Sequence, residues 1–268
     1  MADDMAAADV YAADAVTRGS GPLAVLTYHA IDDRAAVTSL RPERFRWQME
    51  ALAGHGLRGI SLAQAFDHLD RTGHFPPNTV VLTFDDGYRS VLEEALPAMA
   101  AQGFGGTVFL VSSLVGMNAA QARAAHRDFD RALLDWREAE TLLQAGFEIG
   151  AHTVSHPDLT RLPANALERE LGQARAQLEQ RLQTPVASLA YPYGWQNATV
   201  RNAAARHYRR ACTTRLGRCR PQADPLRIDR IDMYYLRPRQ RFLQMVGGGL
   251  AGWLRWHQHL RDLKRLVR

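Results

Sequence analysis

The sequence predicts an α/β fold around a parallel sheet, open or closed into a barrel. Three observations carry that prediction. Short apolar runs rich in β-branched residues recur between residues 23 and 233, helical patterns alternate with them, and no repeat or linker divides the chain. At 268 residues, 46% apolar and 23% charged, the chain can fill one large core and is not a wholly disordered polypeptide.

In order, Leu23–Tyr28 (LAVLTY) reads as a strand, and Glu43–Gly54 as a helix behind Pro42, with Phe45, Trp47, Met49 and Leu52 at helical spacing. Ser61 is placed to cap a short helix reaching Leu69. Thr79–Phe84 (TVVLTF) reads as a buried strand. A helix is expected over Ser90–Ala101, a strand over Gly106–Val111, and a helix over Leu133–Ala145 stopped by Gly146. Phe147–His152 is the next strand, followed by the longest helix, Asn165–Gln183, whose Leu167, Leu171, Ala174, Leu178 and Leu182 share one face. Ser188–Tyr191, Ala211–Thr214 and Ile228–Met233 complete the strands. Residues 1–21, rich in alanine and aspartate, read as a loose tail.

Charge is divided along the chain. Residues 201–268 hold 17 Lys+Arg against 4 Asp+Glu, so the first 200 residues are net acidic although the whole chain stands at +5. Lys264 is the only lysine; the rest of the basic charge is arginine. Residues 239–268 mix Phe242, Leu243, Trp253, Leu254 and Trp256 with arginines, which predicts a basic amphipathic helical region packed on its own domain or touching a bilayer interface. No segment approaches the roughly 18 consecutive apolar residues of a spanning helix. The start, with four aspartates and no apolar stretch, does not read as a secretory signal. Two cysteines, Cys212 and Cys219, are too few for a disulfide scaffold. Together these lead to an expected cytoplasmic location, with peripheral contact at the inner membrane face. The arginine excess lacks an aromatic-interleaved single-strand motif or a recognition element, so nucleic acid is not an expected partner.

In parallel α/β folds, chemistry sits where strands end. Four predicted strands end in suggestive residues: the first in His29, the TVVLTF strand in Asp85-Asp86-Gly87, the Phe147 strand in His152 with His156 four residues on, and the Ser188 strand in Pro192-Tyr193-Gly194. Successive residues leaving a strand point in different directions, so one aspartate can ligate a metal while the other faces a substrate. Two histidines and an aspartate form a facial set with open positions, suited to Zn²⁺ or a similar divalent ion. The spare aspartate can take a proton, a histidine across the site can donate one, and the turn after Pro192 can offer a backbone N–H to an oxyanion. The sum is metal-assisted hydrolysis of an amide or ester.

TFDDG (Thr83–Gly87) followed by HTVSH (His152–His156) resembles the NodB-homology polysaccharide deacetylases, carbohydrate esterase family four, over about Leu23–Met233. The resemblance implies a distorted (β/α) barrel of about seven strands over 22–238 that removes N-acetyl groups from amino-sugar polymers or lipid-linked glycans. It implies Asp85 as catalytic base, Asp86, His152 and His156 as metal ligands, and Tyr193 of AYPYG as the oxyanion N–H donor. The family's base-orienting arginine has no counterpart here, where the chain has Ala190, and Arg230 of the RIDRID strand is the candidate replacement. No acid-bearing histidine motif follows Tyr193. The early LTYHAID segment resembles the permuted branch, similar to poly-N-acetylglucosamine deacetylases, which makes His29 the expected general acid. Two alternatives stay open: a deformylase or other C–N amide hydrolase of the same fold, and a glycan-binding module without turnover.

Overall fold

A computed structural model describes residues 21–266, with side chains through Leu263. The loose tail expected over 1–21 lies, Gly21 apart, outside the described residues. The first half comprises β1 (Ala24–Tyr28), β2 (Ala30–Ile31), β3 (Ser39–Leu40), α1 (Pro42–Gly54), β4 (Arg58–Ile60), α2 (Leu62–Thr72), β5 (Thr79–Phe84), α3 (Leu96–Ala100), β6 (Thr107–Leu110), α4 (Ala119–Ala125) and α5 (Trp136–Gln144). The second half comprises β7 (Glu148–Ala151), α6 (Ala164–Leu182), β8 (Ser188–Ala190), α7 (Ala198–Ala204), β9 (Arg210–Leu216), β10 (Ile228–Asp232), α8 (Arg239–Val246) and α9 (Ala251–Leu266).

Seven strands close a ring in the order β1-β5-β6-β7-β8-β9-β10, every pairing parallel, with β10 returning to β1 through Leu26 opposite Ile231. β4 pairs with Thr79–Val81, the first half of β5, and β6 with Thr83 and Phe84 further along it. The barrel is therefore distorted at this edge. Strand alternation splits the apolar residues into two layers. Leu26, Tyr28, Val80, Leu82 and Phe84 face the helices, while Val25, Val81, Phe109, Ala190, Cys212 and Ile228 cluster inside the ring.

Local chemistry sets the element ends. Ser61 accepts from the Gln64 N–H and the Gln64 side chain returns to the Ser61 N–H, a capping box that starts α2. The helix expected from Leu133 begins only at Trp136, because Asp135 caps it with Glu138 and leaves Leu133 and Leu134 extended. The Leu134 N–H instead holds the Gly87 carbonyl at 2.9 Å. The helix expected over Ser90–Ala101 opens with a π turn, Val91–Ala95, before α3. Pro97 explains it: proline has no N–H for the carbonyl four residues back and its ring crowds that position, so the turn widens. The strand expected over Ala211–Thr214 extends to Leu216, with a register shift against β10 between Ile228 and Arg230.

The C-terminal region forms two helices that turn much of their apolar surface to the barrel. Phe242, Met245, Val246 and Leu254 are buried, and Gln258 accepts from the Leu216 N–H at 2.8 Å. Leu243, Trp256 and Leu263 remain exposed. Among the described residues no helix is long and apolar enough to cross a membrane.

Candidate active site

The strand ends identified in the sequence meet on one rim. Asp85 and Asp86 follow β5, and the chain turns at once: Asp86 has φ 75° and Gly87 φ 70°. The left-handed conformation favours glycine at position 87, and a side chain there would also have to displace the Leu110 side-chain tip, whose Cδ2 would lie 2.7 Å away. After β7, Thr153 (φ 67°) and His156 (φ 60°) also take left-handed conformations, as do Tyr193 (φ 60°) and Gly194 (φ 69°) after β8. Each non-glycine residue there costs roughly 1–2 kcal/mol. Four such residues on one rim mark a backbone held against its preference, as functional sites often are.

The surroundings supply the restraint. Glu170 of α6 accepts from the Val154 and Ser155 N–H groups, each at 2.9 Å, and from the Ser155 hydroxyl at 2.7 Å. The Thr153 hydroxyl accepts from the His156 N–H at 3.0 Å. Thr214 donates to the Tyr193 carbonyl at 3.0 Å, and its backbone nitrogen would lie 2.3 Å from any Cβ at Gly194. Gly194→Ala is therefore expected to lower stability by about 2–4 kcal/mol, combining left-handed strain with overpacking. Chemical denaturation checks this; a loss under 1 kcal/mol would mean that the turn relaxes freely.

Asp85 is buried, and so is its partner. Arg230, at 1% exposure, reaches across from β10 with two parallel bonds, Nη1 to Oδ1 at 2.8 Å and Nη2 to Oδ2 at 2.7 Å. Its Nε also donates to the Thr213 carbonyl (2.8 Å) and its Nη1 to the Thr83 hydroxyl (3.1 Å). Burial alone would raise the Asp85 carboxyl; the Arg230 guanidinium, with smaller contributions from His152 and His29, outweighs it and holds the group below the usual carboxylate range. The aspartate is thus ionised and fixed in orientation. His29 Nε2 lies 4.0 Å from Asp85 Oδ2, on the same rim and partly open to solvent.

Asp86 faces the two histidines. Its Oδ1 lies 3.5 Å from His152 Nε2 and 3.7 Å from His156 Nε2. Ligands about 2.1 Å from a tetrahedral cation stand about 3.4 Å apart, so these three side chains fit a divalent ion. His152 Nδ1 is 2.7 Å from the Ala190 carbonyl, a contact that orients the ring and leaves Nε2 turned to Asp86. Burial, and then the neighbouring His152, push His156 down to about 3, so its imidazole is neutral and able to ligate. Its Nδ1 is buried without a hydrogen-bond partner.

Several contributors escaped sequence reasoning. Asp128 accepts the Tyr193 hydroxyl at 2.7 Å, and with His126 and His156 it forms a second cluster of ligand-type atoms. His126 and Phe129 pack edge-on against the His156 ring. The segment His126–Phe129 carries histidine and aspartate but ends no strand, so the strand-end rule passes over it. Glu170 is one more acid on a polar helix face, with nothing in the sequence to distinguish it.

Residues 72–211 match the family model described as polysaccharide deacetylase. YxkH of Bacillus subtilis, named as a polysaccharide deacetylase, is 23% identical over 202 residues, which span 75% of this chain and 67% of that protein. The deacetylase PplD of Streptococcus pyogenes, solved in complex with acetate, superposes with a TM-score of 0.70 at 25% identity, covering 79% of this chain and 92% of PplD. IcaB from Ammonifex degensii has the same fold, with a TM-score of 0.70 at 20% identity over 88% of this chain and 99% of IcaB.

Proposed function

The chain belongs to the polysaccharide deacetylase family, and from that premise we propose that it hydrolyses N-acetyl groups on an amino-sugar polymer or lipid-linked glycan at the rim formed by Asp85, Asp86, His152, His156, Tyr193, Arg230 and His29. The observation that carries the proposal is the pairing of an ionised, guanidinium-clamped aspartate with an adjacent facial set of one carboxylate and two imidazoles.

In this reading Asp86, His152 and His156 hold a divalent cation, with zinc the best match to the donor set. Bound there, such an ion supplies Lewis acidity toward the amide carbonyl and lowers the pKa of water. Asp85 then takes the proton of the attacking water, as its depressed pKa keeps it unprotonated before the step. Arg230 touches no substrate; it is a positioning residue that fixes both carboxylate oxygens. The Tyr193 backbone N–H, presented by the left-handed turn, faces the developing oxyanion. His29, the residue directly after β1, gives its proton to the departing amine as the C–N bond breaks. The products are acetate and a free amino sugar. The barrel domain is assigned to 22–238, with 239–268 as an appended helical region.

Purified protein loaded with zinc is expected to release acetate from N-acetylglucosamine oligomers, and EDTA to abolish the release. Adding back the metal should restore it. A metal-replete protein that releases neither acetate nor formate across a panel of acylated sugars, yet binds them, would instead be a glycan-binding module.

A further inference from the structure

Away from the catalytic rim lies a cleft of about 780 Å³ between the segment after β9 and the face of α9. Arg215, Arg218, Arg220, Arg227, Arg255 and His259 line it. Its two carboxylates, Asp229 and Asp262, both lie against Arg215, at 3.8 and 3.4 Å. Among the described residues, no carboxylate is in ion-pair contact with Arg218, Arg220, Arg227 or Arg255. Positive charge is therefore left over within one concavity.

Arg218 is the most informative of these residues. Its Nη2 donates to the Met245 carbonyl at 2.7 Å, while its Nε is buried with no partner. The side chain as a whole is only partly buried, but a buried donor left unmet is costly. Burial also pushes the guanidinium below its usual range. Arg218 is one of the residues lining the cleft, where a ligand's oxygen could meet its guanidinium. The floor is firmly held, since Gln258 accepts from the Leu216 N–H and donates to Asp262 at 2.7 Å.

We propose that this cleft is a binding site for a phosphate- or diphosphate-bearing ligand, separate from the deacetylation centre. A phosphoryl group presents several oxygens around one atom, which suits converging arginine forks better than a single point contact. Arg215, Arg220, Arg227 and Arg255 all present exposed side chains around this concavity, so a discrete protruding group can be gripped by several of them at once, whereas a flat bilayer surface meets only its rim. A smaller cleft of about 170 Å³ shares Arg215, Arg227, Gln258 and Asp262 with this one and extends to Gly194, next to Tyr193. A ligand anchored by its phosphate thus has a lined path toward the catalytic rim.

The probe is inorganic pyrophosphate, titrated calorimetrically into the zinc-loaded full chain. Saturable binding near one per chain is expected, weakened at least tenfold by Arg218→Gln and by the surface double variant Arg220→Ala/Arg255→Ala. Deacetylation of a neutral oligosaccharide should be unchanged in the double variant, which keeps a folding defect from mimicking loss of the site. Two results overturn the proposal: no saturable binding of pyrophosphate, or equal binding by wild type and the double variant. Co-sedimentation with phosphatidylcholine vesicles, with and without phosphatidylglycerol, separates the sources. Protein that ignores pyrophosphate but loses vesicle binding in the double variant has a membrane-facing patch instead.

Discussion

Arg230→Met is expected to reduce kcat for glycan deacetylation by about 10²-fold, leave the bound zinc stoichiometry unchanged, and destabilise the fold by about 3–5 kcal/mol. The two effects have one origin. Arg230 and Asp85 are 1% and 2% exposed, and the bidentate pair is what makes burial of either charge tolerable. Removing the guanidinium strands the carboxylate away from water and frees it to rotate. Methionine fills similar volume, so the loss reads on charge and orientation more than on a cavity. Arg230→Lys keeps the charge but offers no planar fork; it should recover most of the stability and only part of kcat. Because Arg230 is buried and out of reach of a substrate in the opening, KM should change little in either variant. A Lys variant with full kcat would show that charge alone suffices and that the fork has no positioning role.

Asp85→Asn and Asp86→Ala should fail in different ways. The first keeps the shape of the side chain but cannot accept a proton, so kcat should fall by about 10²–10⁴-fold while zinc remains bound. The second removes one of the three proposed ligands, so metal affinity should collapse and activity should return in part only at high added zinc. Metal content by elemental analysis, beside acetate release, distinguishes them. If Asp85→Asn lost the metal and Asp86→Ala kept it, the roles of the neighbours would be exchanged.

Much of this site could be read from the chain because the fold places chemistry where strands end, and strand ends are visible as apolar runs that stop. His29, Asp85, Asp86, His152, His156 and Tyr193 were all found that way or through the TFDDG and HTVSH motifs, and all lie on one rim. Arg230 needed a different argument, a missing partner at Ala190 and a spare arginine in a late strand. In the structure the Arg230 guanidinium crosses the barrel interior beside Phe109 to reach Asp85, and the backbone carbonyl of Ala190 lies against His152. What could not be read was tertiary restraint. Glu170 acts through two backbone N–H groups sixteen and fifteen residues upstream, and Asp128 through a tyrosine hydroxyl 65 residues away. Such contacts leave no periodicity behind. The same holds for the start of α5 and the π turn ahead of α3, where a cap and a proline overrode the apolar pattern.

The pairing of β1 with β10 has a consequence for biogenesis. The proposed proton donor leaves the first strand and the arginine that clamps the proposed base arrives on the last, so neither half of the polypeptide can hold the whole proposed centre. During synthesis Asp85 emerges from the ribosome about 145 residues before its partner Arg230, and until that partner arrives the carboxylate has no reason to leave water. Turnover in this protein is then a late event of folding, acquired in the same step that shuts the ring.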